Sequence, residues 1–92
     1  MNILLQTQSD HPVMLFVFQT KAGPFYIGYH RRRFYAIYNH ENLGWYTTAN
    51  QAAEDLSGGH TFSPSNGVDT DTLGIPDDVS EWECLVKWER IQ

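Results

Sequence analysis

Cysteine occurs once in this chain, at Cys84. That scarcity excludes an intramolecular disulfide and any zinc site built from several cysteines. Long apolar runs are also missing. The run Val13–Phe18 spans six residues, too few for a signal-peptide core or a membrane span. Asn2 to Ser9 carries no basic start, so no secretory signal is read there and a cytoplasmic location is expected. Cations are scarce as well: Lys and Arg number 6 against 11 Asp and Glu, for a net charge of −5. The deficit is uneven. Residues 1–46 hold Lys21 and an arginine triplet against Asp10 and Glu41, a balance of +2. Residues 47–92 hold Lys87 and Arg90 against nine carboxylates, a balance of −7. An acidic half opposes general adhesion to nucleic acid and favours a protein partner with a basic surface.

Catalytic signatures are absent too. There is no Gly-x-Ser-x-Gly elbow, no phosphate-binding Walker loop, and no Cys/His pair at useful spacing. His40-Glu41-Asn42-Leu43 is followed by Gly44, where a metalloprotease pattern requires His. No enzyme, catalytic residue or cofactor is therefore expected. Cys84 is expected to be a small buried core residue. Asp69-Thr70-Asp71-Thr72-Leu73-Gly74 echoes the opening of a calcium loop, but Leu73 occupies the fifth place and Ser80 the twelfth. Too few oxygens remain for calcium. Asp-Thr pairs routinely make side-chain turns and caps, which is the role expected of them here, so no metal ligands are assigned.

Large rings are what the chain does have: Trp 3, Tyr 5 and Phe 5. A chain of 92 residues buries only ~60–65% of its unfolded surface, so its core must be dense in such side chains. Val13–Thr20 is apolar at both alternating sets of positions and reads as a well-buried strand. Lys21-Ala22-Gly23-Pro24 is a turn. Phe25–His30, Arg33–Asn39 and Leu43–Thr47 continue an antiparallel meander, with His40-Glu41-Asn42 as a connection. Thr48-x-x-Gln51 is a capping box, Ala52, Ala53 and Leu56 form an apolar stripe, and Gly58-Gly59 supply a stop. They predict a helix over about 49–57. The segment over about 58–80 is rich in Gly, Pro, Ser, Thr and Asp, and Phe62, Val68, Leu73 and Ile75 within it should pin it to the body. Asp77-Asp78 should cap a short turn that leads to Val79-Ser80-Glu81-Trp82. Trp82, Cys84, Val86 and Trp88 alternate at period two and predict a final strand over about 82–89. The whole is a single α+β domain over 1–92: a curved antiparallel sheet of four to five strands, one short helix packed on it, and a long ordered loop.

Arg31, Arg32 and Arg33 are half of all the cations, and they are set among aromatics. With Arg31-Arg32 as a two-residue hairpin tip, Arg33 faces His30 and Phe34 faces Tyr29. Phe25, Ile27 and Tyr29 then share the core side with Phe34, Ala36 and Tyr38. Tyr26 and His30 share the other side with Arg33, Tyr35 and Ile37, a composition suited to stacking bases and neutralising phosphates. The tip lacks the Gly or Asn that such a tight turn favours.

Tyr26-x-Gly28, Phe34-x-Ala36 and Leu43-Gly44-x-Tyr46-x-Thr48-x-x-x-Ala52-Ala53 resemble the three-stranded-sheet-plus-helix module of the plant ethylene-response-factor DNA-binding domains and related integrase arm domains. That resemblance covers about a third of the chain. It implies a sheet with a helix packed on it and DNA contact by arginines and aromatics spread along the strands, whereas here the arginines are bunched at a turn. A longer stretch, Phe34 to Trp82, carries Leu43-Gly44-x-Tyr46, Ala52-Ala53-x-x-Leu56-x-Gly58-Gly59, Gly67-Val68-Asp69-Thr70 and Leu73-Gly74-Ile75-Pro76. It resembles a group of small uncharacterised proteobacterial proteins, which implies a compact bacterial single-domain protein and brings no chemistry with it. The function expected is a small non-catalytic binding module acting by protein–protein interaction through Asp69, Asp71, Asp77, Asp78, Glu81 and Trp88. Small size and acidity also suit a phage or mobile-element regulator or inhibitor. The alternative is nucleic-acid binding through Arg31, Arg32, Arg33, Tyr35 and Tyr26.

Overall fold

A computed structural model describes residues 12–86. Five strands form one antiparallel sheet: β1 (Val13–Thr20), β2 (Gly23–His30), β3 (Arg33–Tyr38), β4 (Glu41–Tyr46) and β5 (Glu83–Cys84). Their order across the sheet is β4-β3-β2-β1-β5, so four consecutive strands meander and the fifth returns beside the first. Among the described residues one α-helix, α1 (Ala49–Gly58), packs on a single face. No helix among the described residues is long and apolar enough to cross a membrane.

The meander arises because each connection is a two-residue turn. At the β2–β3 tip Arg31 and Arg32 adopt φ of 51° and 69°, and at the β3–β4 tip Asn39 and His40 adopt 54° and 65°. Two consecutive positive φ values match the right-handed strand twist, and arginine takes them at a cost that Gly or Asn would avoid. The expected β2–β3 register is found throughout, with His30 opposite Arg33, Tyr29 opposite Phe34 and Phe25 opposite Tyr38. The next turn differs from expectation. Asn39-His40 makes it alone, and Glu41 and Asn42 already belong to β4.

The α1 capping box forms as its sequence dictates: the Gln51 N–H donates to Thr48 Oγ1 at 3.1 Å, while the Gln51 side-chain oxygen accepts from the Thr48 N–H. Gly59 closes the other end in the left-handed region (φ 75°), and His60 N–H reaches Asp55 O at 2.8 Å. Ala52, Ala53 and Leu56 are fully buried against Phe25, Ile27, Ala36, Tyr38 and Leu43 of the sheet, with Ile75 and Trp82 closing the cluster. Phe25 stacks on Tyr38 with ring centroids 4.2 Å apart, and Phe18 lies against Trp82 at 5.9 Å. Strand β1 is less enclosed than its composition implies; Val17 alone is buried in it, and Val13 is exposed.

The long segment after α1 is held at several points. Tyr38 OH donates to Ala22 O at 2.8 Å and accepts from Asn66 Nδ2 at 3.1 Å. Phe62 N–H donates to Leu43 O on the outer edge of β4, and Val79 N–H donates to Asn50 Oδ1 of α1. Two short 3₁₀ turns, Thr70–Thr72 and Val79–Glu81, punctuate it. Asp78 caps the second as expected, accepting from Ser80 N–H at 2.9 Å. At the first, it is the Thr72 hydroxyl and N–H that bond the Asp69 carbonyl, while the Asp69 carboxylate makes no cap. Val68 and Leu73 pack on the core and Ile75 enters it, but Phe62 is 74% exposed, because its backbone rather than its ring makes the attachment.

The final strand is shorter than expected among the described residues, covering Glu83–Cys84; residues 87–89 of the expected strand lie outside them. Cys84 is exposed, against the expectation of a core thiol. It sits on β5, the last strand of the sheet, beyond the helix footprint, and its thiol donates to Val86 O at 3.3 Å.

Candidate functional site

With α1 and the long segment on one face, the opposite face of the sheet carries a different set of side chains. The registers put Met14, Val17, Tyr26, Gly28, Tyr35 and Ile37 there. Trp45 joins them opposite Tyr35, and Asn42 opposite Ile37. Part of this face is covered. Val17 and Ile37 are 6% and 8% exposed, and a Cβ on Gly28 would stand 3.0 Å from Pro12 Cβ and 3.2 Å from Ile37 Cδ1. Toward β4 the face opens: Tyr26 and Tyr35 are half-buried, Arg33 is exposed and Trp45 is 51% exposed.

Trp45 owes its outward position to one glycine. Strict alternation from the buried Leu43 would turn Trp45 inward. The β3–β4 register instead slips by one residue between Tyr35 and Ile37, and Gly44 sits in β4 at φ +143° with its N–H bonded to Asn42 Oδ1. This bulge keeps Leu43 and Tyr46 on the core side and sends Trp45 out. Arg33 then lies over the indole, 4.0 Å from the ring centroid, in a cation–π contact. Sequence reasoning did not single out Trp45; the signal was Gly44 within a strand pattern, a common mark of a bulge.

Farther along β3, toward the β3–β4 turn, lies an open-sided groove of about 790 Å³. Tyr26 and Ile37 line it together with Pro12, Met14 and Pro24. Its far end is polar, formed by Asn39, His40, Glu41, Asn42 and Asn66. Glu41 is turned to the long segment: its carboxylate accepts from Ser65 N–H at 2.9 Å and from the Ser65 hydroxyl. Those two bonds hold its pKa below the usual value. On the core side, burial and the adjacent Asp55 carboxylate push the Tyr46 hydroxyl well above the usual tyrosine range.

Arg31, Arg32 and Arg33 are exposed at and beside the β2–β3 tip, at one end of the open face, with Tyr35 and Tyr26 farther along it. The acidic residues lie elsewhere. Asp69, Asp71, Asp77, Asp78 and Glu81 are all exposed on the segment after α1. The hydrogen bonds to Ser80 lower the pKa of Asp78. Trp82 beside them is buried, its indole N–H donating to Pro76 O at 3.1 Å, and Trp88 lies outside the described residues. Phe62 with Asp69 and Asp71 lines a smaller, polar hollow of about 170 Å³. Among the described residues no three His, Cys, Asp or Glu side chains are grouped to hold a metal ion. Comparison with family models, with curated proteins and with solved structures found no match to this chain.

Proposed function

We propose that this chain is a non-catalytic binding module that engages a protein partner through the sheet face opposite α1. The observation that carries the reading is Trp45, half-exposed and with the Arg33 guanidinium over its ring, on the sheet face whose other end opens into a groove. Trp, Tyr and Arg dominate the energetics of protein interfaces, and here Trp45, Tyr35 and Arg33 stand together on the sheet face that also bears a concavity of ligand-binding size. The bulge that turns a large indole into solvent costs core burial, which a purely structural strand would retain.

The acidic segment is the weaker surface. Asp78 is engaged in capping, Trp82 is buried, and the hollow near Phe62 is small and polar. Selection of a charge-balanced random peptide display library on the whole chain tests the choice. Enrichment should be lost with Trp45→Ala or Tyr35→Ala and persist with Asp69→Asn/Asp71→Asn. Enrichment that survives both aromatic substitutions but not the carboxylate ones would move the interface to the acidic segment. No enrichment at all would remove the reading.

A further inference from the structure

Resting on that reading, we infer that the partner segment is an extended peptide with a carboxylate and, about four residues away, a bulky apolar side chain. Strand β3 supplies the ruler. Arg33, Tyr35 and Ile37 occupy alternate positions of one face, and at ~3.3 Å per residue Arg33 stands ~13 Å from Ile37 along the strand. The Arg33 end is cationic, with Arg32 at the adjacent tip. The Ile37 end opens into the groove with Met14, Pro24 and Tyr26. Between the two ends stand Tyr35 and Trp45.

The charges on this face are separated rather than mixed. Glu41, at the far end of the groove, already accepts two hydrogen bonds from Ser65, and Glu83 is on β5, opposite Val17 at the other edge. Among the described residues, neither of these two carboxylates stands at the Arg33 end. The Arg33 Cζ stands 4.0 Å from the Trp45 ring centroid, and a guanidinium in such a contact keeps N–H donors at its edge that can bind a carboxylate with two bonds. At the groove's far end the Asn39 amide and the Asn42 side-chain N–H groups suit peptide backbone carbonyls, while Asn66 is already bonded to Tyr38 OH and Val68 N–H.

A single-stranded nucleic acid fits the same face less well. Its phosphates recur at every nucleotide and need cations along the whole track. Here the cations sit at one end, and the track beyond them is aliphatic and amide-lined.

The test is a titration of the full chain, followed by amide and indole resonances in two-dimensional NMR, with four probes. These are a synthetic peptide with a glutamate pair spaced about four residues before Leu-Phe, the same peptide with lysines for the glutamates, the same with serines for Leu-Phe, and oligothymidylate. The acidic apolar peptide should bind tightest, shifting the Trp45 indole and the Tyr26 and Ile37 amides. Arg33→Glu should weaken it about tenfold and favour the lysine peptide. Arg32→Glu, which leaves the Trp45 contact intact, should weaken it in the same direction. Equal or stronger binding of the lysine peptide to the unaltered chain would overturn the inference while leaving the interface in place. Tightest binding of oligothymidylate would replace the peptide by nucleic acid. If no probe shifts these resonances, both the inference and the interface fall.

Discussion

Glu41 shows how a single half-buried carboxylate is committed by its surroundings. Two hydrogen bonds from Ser65 join β4 to the long segment and lower the Glu41 pKa. A depressed folded-state pKa gives stability that is fully present above the unfolded value, near 4.5, and lost as pH falls through the lower folded value. Asp78 behaves in the same sense through Ser80. The prediction is an acid-labile attachment: the protection of the amides, measured against their intrinsic exchange rates, should fall below pH 4.5 at Ser65 and below pH 3.8 at Ser80, before the β2–β3 core amides respond. Glu41→Gln should show fast Ser65 exchange already at neutral pH. Unchanged protection of Ser65 in that variant would mean that the carboxylate does not hold the segment.

At the scale of elements, the turns and the bulge are places where backbone conformation and residue type disagree or agree. His40 occupies a left-handed position, so His40→Gly should raise stability by up to about 1 kcal/mol, the relief of αL strain exceeding the added chain entropy. Gly44 is the converse. At φ +143°, with Tyr46 Oη 3.1 Å from where a Cβ would stand, Gly44→Ala should lower stability by about 1–3 kcal/mol. It should also shift the Trp45 fluorescence as the indole loses its outward station. Thermal unfolding by circular dichroism measures both. A neutral Gly44→Ala would show that the bulge is not set by this glycine.

The molecule as a whole separates folding from its exposed face. The core lies between α1 and one side of the sheet, while Trp45, Tyr35 and Arg33 lie on the other. Phe25→Ala opens a cavity where Phe25 stacks on Tyr38 and should cost about 3–5 kcal/mol, a large share of the roughly 5–15 kcal/mol of a typical domain. Trp45→Ala removes a half-exposed side chain and should change stability by less than about 1 kcal/mol. Denaturant titrations of the two variants compare them directly. A Trp45→Ala loss as large as that of Phe25→Ala would make Trp45 a structural residue.

Much of this was written in local sequence. The capping box at Thr48 and Gln51, the Gly59 stop, and the alternation across Phe25–His30 and Arg33–Tyr38 act within a few residues, so helix, hairpin register and core face could be read directly. The Asp78 cap is equally local. What the sequence did not decide depends on contacts between distant segments. Cys84 looked like core, yet the placement of β5 beside β1 leaves it exposed. Phe62 looked like an anchor, yet its N–H rather than its ring meets β4. Trp45 had no visible role until the Gly44 bulge turned it to the face that Arg33 covers. Burial is a property of what lies across the sheet, and one extra residue in one strand reverses every side chain beyond it. That is why the core side of β2 and β3 was legible in the chain, and the surface offered to a partner was decided by the fold.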